Sequence, residues 1–587
     1  MRIAILFILI SVLMLPFWLT LSTKVTAVQG PIKLWEFIHP TYYVGLSAAL
    51  AALLTLMLRR RSDSRYKAIT HPLFIALIIA MYMRSPALAL FQYPFSDHSC
   101  HVTPIYWILR NHDIYWPKHL GHPETVSPQL TMAVLMMVTN ENSVFMLHRI
   151  SLLVLLVLTI TYMYMLSRSV GLTKAYAAAT AVLALALTYQ LYYFLRQTYT
   201  MPIYVLVAYL IMRSIENSEN RKYLAPLIIL ILAFISMDPA FVLITILALV
   251  AYPMMQVLHS ILLKLRGVTE NIEIRSTSLV AIISILLFGL YMLWIFSRYP
   301  YQPRDLYHIA QHAWNTAMRA LHEPSTLTPE TPYYWGKPTA LGYNQYYSTL
   351  YKIKVFTRTT CIILGAITTL LILAGKGKRS RNHAKYLLIL SYFVVTVIII
   401  VAKAYGATFA PWTALMCYSL SLILLTSNSK KNEACILITL VVIALTLTTI
   451  VNGVHMVTAL GQRVSLQDVH MSLWLGRFSP HDRFHVWTPF AGYDIDHIAY
   501  IIGNYRYAKG WYIPYEGLTE KTIEKVSQFD KIVLAKTMIY KFFEKTNMIS
   551  SLPEFLTKLT VELSRNHNLV YASGLNTIDN SVWVKPR

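Results

Sequence analysis

The sequence predicts a polytopic α-helical membrane protein with a small C-terminal α/β domain. Of its 587 residues, 56% are hydrophobic and only 13% are charged, whereas soluble domains have about one quarter charged residues. The apolar residues gather in runs of about 20, which is the length needed to cross a bilayer core. This composition excludes a soluble enzyme of this size, and an aromatic content of 13% excludes a disordered chain.

About 13 apolar runs are predicted to be membrane-spanning helices. Two of them, 223–237 and 239–258, are short and meet at Asp238-Pro239, which predicts a helical hairpin with Asp238 capping the second helix. The predicted spans are 3–22, 40–58, 70–91, 143–166, 174–194, 198–214, 223–237, 239–258, 276–296, 353–374, 386–402, 411–427 and 434–455.

The basic loops predict the orientation of these spans. RRRSDSRYK at 59–67 and GKGKRSRNHAK at 375–385 are typical of cytoplasmic loops. Counting spans alternately then puts two long loops, 92–142 and 297–352, and the C-terminal tail on the extracytoplasmic side. The net charge of +24 is therefore interpreted as a topology signal near anionic membrane lipids, and no nucleic-acid partner is predicted. The predicted location is the plasma membrane.

The first apolar run is predicted to be a retained helix, because it is longer than the core of a typical signal peptide. Cleavage near Val25-Thr26-Ala27 is the alternative. Both interpretations leave residues 24–39 on the outer side, so the remaining topology does not depend on this choice.

The tail, residues 456–587, has the composition of a soluble domain. KIVLAK at 531–536 predicts a strand, and LPEFLTKLTVELSRN at 552–566 predicts an amphipathic helix. NLVYASG at 568–574 and SVWVKPR at 581–587 predict a closing hairpin. Together these elements predict a small extracytoplasmic α/β domain.

The loop 92–142 contains the most informative pattern. Asp97 follows directly on a span, so its carboxylate should lie at the membrane surface. Residues 102–110 have the spacing of an amphipathic helix, and a second such helix is predicted at about 129–139. Helices of this kind lie in the membrane interface, where they are expected to form the roof of a cavity.

This loop resembles the corresponding loop of the GT-C superfamily of membrane glycosyltransferases. Those enzymes have an acidic pair after the first catalytic helix, then a Gly-Asp-Trp-like turn, a Pro, and a Pro-Pro-Leu-like start of an interfacial helix. The residues that match here are Asp97-His98, His112-Asp113-Ile114, Pro117 and Pro128-Gln129-Leu130. Looser matches continue at Leu147-His148-Arg149-Ile150, Arg168-Ser169-Val170-Gly171, Phe194-Leu195-Arg196-Gln197, Leu473-Trp474-Leu475, Pro480-His481-Asp482 and Asn568-Leu569-Val570-Tyr571.

The resemblance implies a GT-C-like fold, with residues 1–455 as the transmembrane glycosyltransferase domain. It also implies an inverting transfer of sugar from a polyprenyl- or dolichyl-phosphate donor to a glycan, lipid or protein acceptor. Asp97 is the candidate base, since desolvation at the membrane boundary raises the basicity of a carboxylate. Capping of the helix that follows is the alternative role for Asp97.

Arg196 is the candidate anchor for the donor phosphate, because a guanidinium binds phosphate oxygens in a bidentate manner. Binding of ordinary lipid headgroups is the alternative for Arg196. The further candidates for the donor phosphate are Arg304, Lys337 and Lys403. The secondary candidates for acceptor or sugar binding are His98, His101, Asp113 and Glu124, with turn formation as the alternative for Asp113.

The sequence departs from the pattern of the GT-C superfamily in three respects. His98 stands where many members have the second acid, and Ser127 stands where aminoarabinose-transferring members have a lysine. Asp305 belongs to no acidic pair, which disfavours the oligosaccharyltransferase branch. No cofactor or metal is predicted, although a divalent ion is an alternative for the histidines of the loop, which are His98, His101, His112, His119 and His122.

Two other classes of function stay open at this stage. A transporter or flippase of lipid-linked glycans would need paired charges and broken helices within the spans. Most charges here lie at loop edges instead, with Arg84 as the main exception. A non-catalytic surface-glycan assembly protein on the same scaffold is the third class, because the second acid of the family pair is missing.

Overall fold

The computed structural model describes part of the chain, and every structural statement below concerns that part. The described residues are 2–22, 39–58, 71–90, 99–116, 125–141, 144–186, 196–216, 223–265, 267, 274–298, 363, 366, 383–402, 471, 474–475, 484–487, 510–513, 519–534, 551–572 and 581–586.

Twelve helices precede the tail in the described part of the chain. They are α1 (Arg2–Ser22), α2 (Pro40–Leu58), α3 (Pro72–Leu90), α4 (Ser99–Asn111), α5 (Ser127–Thr139), α6 (Val144–Ser169), α7 (Lys174–Ala186), α8 (Arg196–Glu216), α9 (Leu224–Met237), α10 (Pro239–Lys264), α11 (Ile274–Arg298) and α12 (His383–Ala402).

Five of these helices are long and apolar enough to cross a membrane, which supports the prediction of a membrane protein. The five apolar stretches are Ile3–Leu21, Pro40–Met57, Ile150–Ser169, Thr198–Ile215 and Phe241–Lys264. Helices also occupy the predicted spans near 70–91, 174–194, 223–237, 276–296 and 386–402. The predicted spans 353–374 (apart from residues 363 and 366), 411–427 and 434–455 lie outside the described residues.

Close packing joins α1, α2 and α3. The Tyr82 hydroxyl on α3 donates to the Ser11 carbonyl on α1 at 2.5 Å, and the Trp18 indole donates to the Ser85 hydroxyl at 2.7 Å. The ring of Tyr82 lies against the backbone of α2 at Gly45, where a β-carbon would overlap the ring. Glycine is therefore needed at residue 45 for this approach.

At one end of the bundle, the start of α3, the end of α6 and the start of α12 lie together. The sequence predicts all three on the cytoplasmic side. Lys385, at the start of α12, donates to the Ser169 carbonyl at 3.0 Å. Tyr386 donates to the Val170 carbonyl at 3.1 Å. His71 precedes α3, and its ring contacts Tyr164 with centroids 5.9 Å apart. The ends of α3, α6 and α12 therefore meet, as alternate counting of spans requires.

The predicted hairpin of α9 and α10 is present, and it turns at Asp238. The backbone of Asp238 is extended, and its carbonyl accepts a hydrogen bond from the Val242 amide at 3.4 Å. Asp238 thus occupies the capping position that the sequence predicts for it. It is fully buried, and α10 runs six residues beyond the predicted end of that span.

The tail contains a five-stranded mixed sheet in the order β2-β1-β3-β5-β4. The strands are β1 (Phe484–Trp487), β2 (Gly510–Ile513), β3 (Lys531–Leu534), β4 (Asn568–Ala572) and β5 (Ser581–Val584), and the helices are α13 (Glu520–Ser527) and α14 (Leu552–Asn566). The predicted strand, helix and closing hairpin are confirmed by β3, α14 and the antiparallel pair of β4 and β5.

The parallel half of this sheet is not predicted by the sequence. β1 pairs in parallel with both β2 and β3. Trp474, in a segment that resembles the start of the tail, contacts Tyr571 of β4 with ring centroids 5.2 Å apart. The beginning and the end of the predicted tail therefore touch.

We expect Gly45→Ala to destabilise the bundle by about 1–3 kcal/mol, since the added methyl group would force Tyr82 away from Ser11. Gly289→Ala is the matched control, because nothing lies within 4 Å of the position that its β-carbon would take. Thermal unfolding of the full chain in detergent measures both variants. Equal midpoints for the two would contradict the packing described here.

Candidate active site at one end of the bundle

Helix α4 forms because its apolar residues recur every three positions. Val102, Ile105 and Ile108 are buried on one face. The helix ends where His112 takes a left-handed conformation with φ of 52°, which breaks the helical hydrogen-bond pattern. The predicted helix at 102–110 is therefore present and slightly longer.

Asp113 forms the turn after α4. Its carboxylate oxygen Oδ1 accepts a hydrogen bond from the Tyr115 amide at 2.8 Å, which is the contact of an Asx turn. This geometry supports the interpretation of Asp113 as a turn former. A secondary role in acceptor or sugar binding stays a prediction.

Helix α5, the second predicted amphipathic helix, begins against the α9–α10 corner. The Val126 amide donates to the Ser236 carbonyl at 3.0 Å, and the hydroxyl groups of Ser127 and Ser236 share a short hydrogen bond. Gln129, on the buried face of α5, donates to Thr125 at 3.4 Å. The first loop is thus joined to the end of α9 close to Asp238.

A separate hydrophobic cluster packs α4 and α5 against the beginnings of α6 and α8. We call it the first-loop cluster. Its buried members are Val102, Ile105, Ile108, Trp116, Val126, Met132, Ala133, Met136, Val144, Leu147 and Tyr199. Tyr199 is its member from the first turn of α8.

A buried hydrogen bond fixes Tyr199 in the first-loop cluster. The Tyr199 hydroxyl and His148 Nδ1 lie 2.9 Å apart, and the side chains are 8% and 3% exposed. His148 belongs to the first turns of α6 and Tyr199 to the first turn of α8. Because both groups are withdrawn from water, loss of either partner would leave a buried polar group without this bond.

The candidate base and the candidate anchor each lie a few residues before a member of the first-loop cluster in the sequence. Asp97 lies two residues before α4 and falls outside the described residues, as does His98. Arg196 is the first residue of α8, so the predicted loop residue instead begins a helix, three residues before Tyr199. Outside the described residues also lie Glu124, Arg304, Lys337 and Lys403.

His101 is in α4 and is 2% exposed. The described residues contain no group of three His, Cys, Asp or Glu side chains arranged for a metal ion. His98, His119 and His122 lie outside the described residues.

Sequence reasoning missed the structural roles of His148, Tyr199 and Gln129. His148 belongs to a motif that resembles the superfamily, but nothing in that motif pairs it with a tyrosine. Gln129 is fully buried at a position that the sequence assigns to a family motif. A buried polar residue on an otherwise apolar helix face is the signal that could have found it.

Comparison with known proteins gives a likeness in fold. No protein-family model matches the chain, and no curated protein matches it. Among solved structures, it is similar to the crystal structure of the Archaeoglobus fulgidus oligosaccharyltransferase in complex with Zn and sulfate. The identity is 12%, the TM-score is 0.50, and the match covers 88% of this chain and 73% of the other. At this identity the likeness is one of fold.

We expect Tyr199→Phe to lower the free energy of unfolding by about 1–3 kcal/mol, because it leaves the buried His148 without its hydroxyl partner. Tyr209→Phe on the same helix is the control. The Tyr209 hydroxyl accepts from Arg213 at 3.2 Å in a partly exposed position, so its loss affects no fully buried pair. Chemical denaturation of both variants in detergent measures the difference, and similar losses would contradict the role given to His148.

Proposed function

We propose that this chain is a membrane glycosyltransferase that uses a lipid-linked sugar. It transfers sugar from a polyprenyl- or dolichyl-phosphate donor to an acceptor hydroxyl on the extracytoplasmic face of the plasma membrane. Residues 1–455 form the transmembrane glycosyltransferase domain with about 13 spans of the GT-C type, and residues 456–587 form an extracytoplasmic domain. The acceptor is a glycan, a lipid or a protein.

The single observation that carries this proposal is the likeness in fold to an oligosaccharyltransferase over most of the chain. The first-loop cluster supports it further, because it contains both Val102 of α4 and Tyr199 of α8. Asp97 precedes Val102 by five residues, and Arg196 precedes Tyr199 by three. This packing favours a base and a phosphate anchor at the same end of the bundle.

The proposed chemistry is a displacement at the anomeric carbon of the donor sugar. The Asp97 carboxylate takes the proton of the acceptor hydroxyl, and the hydroxyl oxygen forms the new glycosidic bond with inversion. The bond between the anomeric carbon and the phosphate oxygen breaks, and the phosphate leaves on its lipid. Arg196 stabilises the negative charge that develops there. Arg304, Lys337 and Lys403 are proposed as further donor-phosphate ligands.

A second candidate is the transfer of an oligosaccharide instead of a single sugar. The fold likeness to an oligosaccharyltransferase favours it, whereas the missing acidic pair near Asp305 disfavours it. Prenyl-phosphate donors with one sugar and with several sugars, offered to the same purified protein, distinguish the two.

We expect Asp97→Asn to lower the turnover rate by about 10²–10⁴-fold, since an amide cannot accept the acceptor proton. The assay incubates purified full-length protein with a panel of radiolabelled prenyl-phosphate sugars and follows release of the sugar. The variant should still insert in the membrane and bind donor.

Asp530→Asn is the matched control for this experiment, because Asp530 is a carboxylate of the tail whose side chain is 88% exposed and belongs to no candidate site. Its turnover should stay near that of the wild type. Normal turnover by Asp97→Asn would remove Asp97 from the mechanism. Donor that crosses the membrane with its sugar intact would favour the transporter instead.

We expect Arg196→Gln to raise KM for the donor roughly 10- to 100-fold, because a charged hydrogen bond to the phosphate is lost. Arg110→Gln is the control, since Arg110 ends α4 and lies over the ring of Tyr106, with 5.6 Å between the guanidinium carbon and the ring centroid. Steady-state kinetics with varied donor measure both. If KM for the donor rose equally in the two variants, Arg196 would act only as one of several surface positive charges and not as a specific ligand of the donor phosphate.

A further inference from the structure

We infer that Arg168, Lys174 and His71 form a phosphate-binding site at the end of the bundle opposite the first-loop cluster. Helix α6 begins in that cluster and has 26 residues, so its last residues lie about 39 Å away. The site is thus separate from the proposed active site, and its existence does not depend on the proposed function.

Three helices bring these side chains together, because the ring of His71 contacts Tyr164, which lies one turn before Arg168 on α6. Arg168 lies in the last turn of α6, Lys174 begins α7, and His71 immediately precedes α3. The chain reverses between α6 and α7 through Gly171, with φ of 94°, a left-handed conformation that glycine adopts without strain. This tight turn keeps Arg168 and Lys174 close in space.

In the described part of the chain, the hydrogen bonds of the turn use one donor of Arg168 and one ring nitrogen of His71. One guanidinium nitrogen of Arg168 donates to the Leu172 carbonyl, which uses one of five N–H donors. His71 Nδ1 accepts from the Leu73 amide at 3.3 Å, so the neutral ring carries its proton on Nε2. Arg168 and Lys174 are exposed.

The charges of these groups are not balanced by carboxylates. In the ranges that the structure describes, neither Arg168 nor Lys174 makes an ion pair. Burial, and then the positive charges of Lys174 and Arg168, lower the pKa of His71. Both cations therefore act on one small region, and an anion bound there would relieve their repulsion.

A phosphate group matches this set of donors. A guanidinium supplies paired N–H donors, an ammonium supplies a compact charge, and a neutral imidazole supplies one more hydrogen bond. The positions of these groups at helix ends place them at the level of the headgroups of one leaflet, predicted to be the cytoplasmic one. The phosphate can come from an anionic phospholipid or from solution.

Native mass spectrometry of the purified full-length protein in detergent tests the site. The protein is titrated with phosphatidylglycerol and, separately, with phosphatidylcholine, and inorganic phosphate is then added as a competitor. We expect saturable binding of phosphatidylglycerol, weakened about fivefold for each cation removed in Lys174→Gln and in Arg168→Gln/Lys174→Gln. If inorganic phosphate displaces the lipid, the site recognises the phosphate group itself. If the lipid stays bound in the presence of phosphate, the site recognises the whole headgroup.

Lys264→Gln is the matched control, because Lys264 is an exposed cation in the last turn of α10. Its affinity for phosphatidylglycerol should stay within about twofold of the wild type, since it lies outside the cluster. Arg168 also supports the turn through its hydrogen bond to the Leu172 carbonyl. Lys174→Gln leaves that bond intact, so a loss of lipid binding in this variant does not come from a disturbed turn. Equal losses in Lys174→Gln and Lys264→Gln, or equal binding of the two lipids by the wild type, would overturn the site.

Discussion

The hydrogen bond between His148 and Tyr199 is the contact on which the proposed active site depends. It joins the first turns of two membrane helices, α6 and α8, inside a cluster that also holds both helices of the first loop. The apolar packing of this cluster has no fixed direction of its own. A directional bond in a buried position specifies how the start of α8 faces the loop.

The helices of the first loop are held at several points of the bundle. Helices α4 and α5 bury one face on the bundle, and the start of α5 is also bonded to the α9–α10 corner at Ser236. The loop is therefore anchored to α6, α8 and α9. The two loop helices are therefore supported elements, as the positioning of a catalytic group requires.

Much of the fold could be predicted from the sequence, because long apolar runs and helix-ending residues are local signals. The α9–α10 corner at Asp238, the two loop helices and the tail helix at 552–566 belong to this class. The His148–Tyr199 bond could not be predicted, since its partners are 51 residues apart and lie on different helices. The parallel pairing of β1 with β2 and β3 could not be predicted either, because it joins residues that are distant in the sequence.

In the proposed mechanism Asp97 activates the acceptor hydroxyl beside the anomeric carbon of the donor, while Arg196 binds the phosphate of the same donor. An experimental structure of the full-length protein with a prenyl-phosphate sugar bound tests it most directly. The account predicts the phosphate within about 3 Å of the Arg196 guanidinium and the Asp97 carboxylate beside the anomeric carbon of the sugar. A donor bound elsewhere, or Asp97 and Arg196 on opposite faces of the membrane, would contradict it.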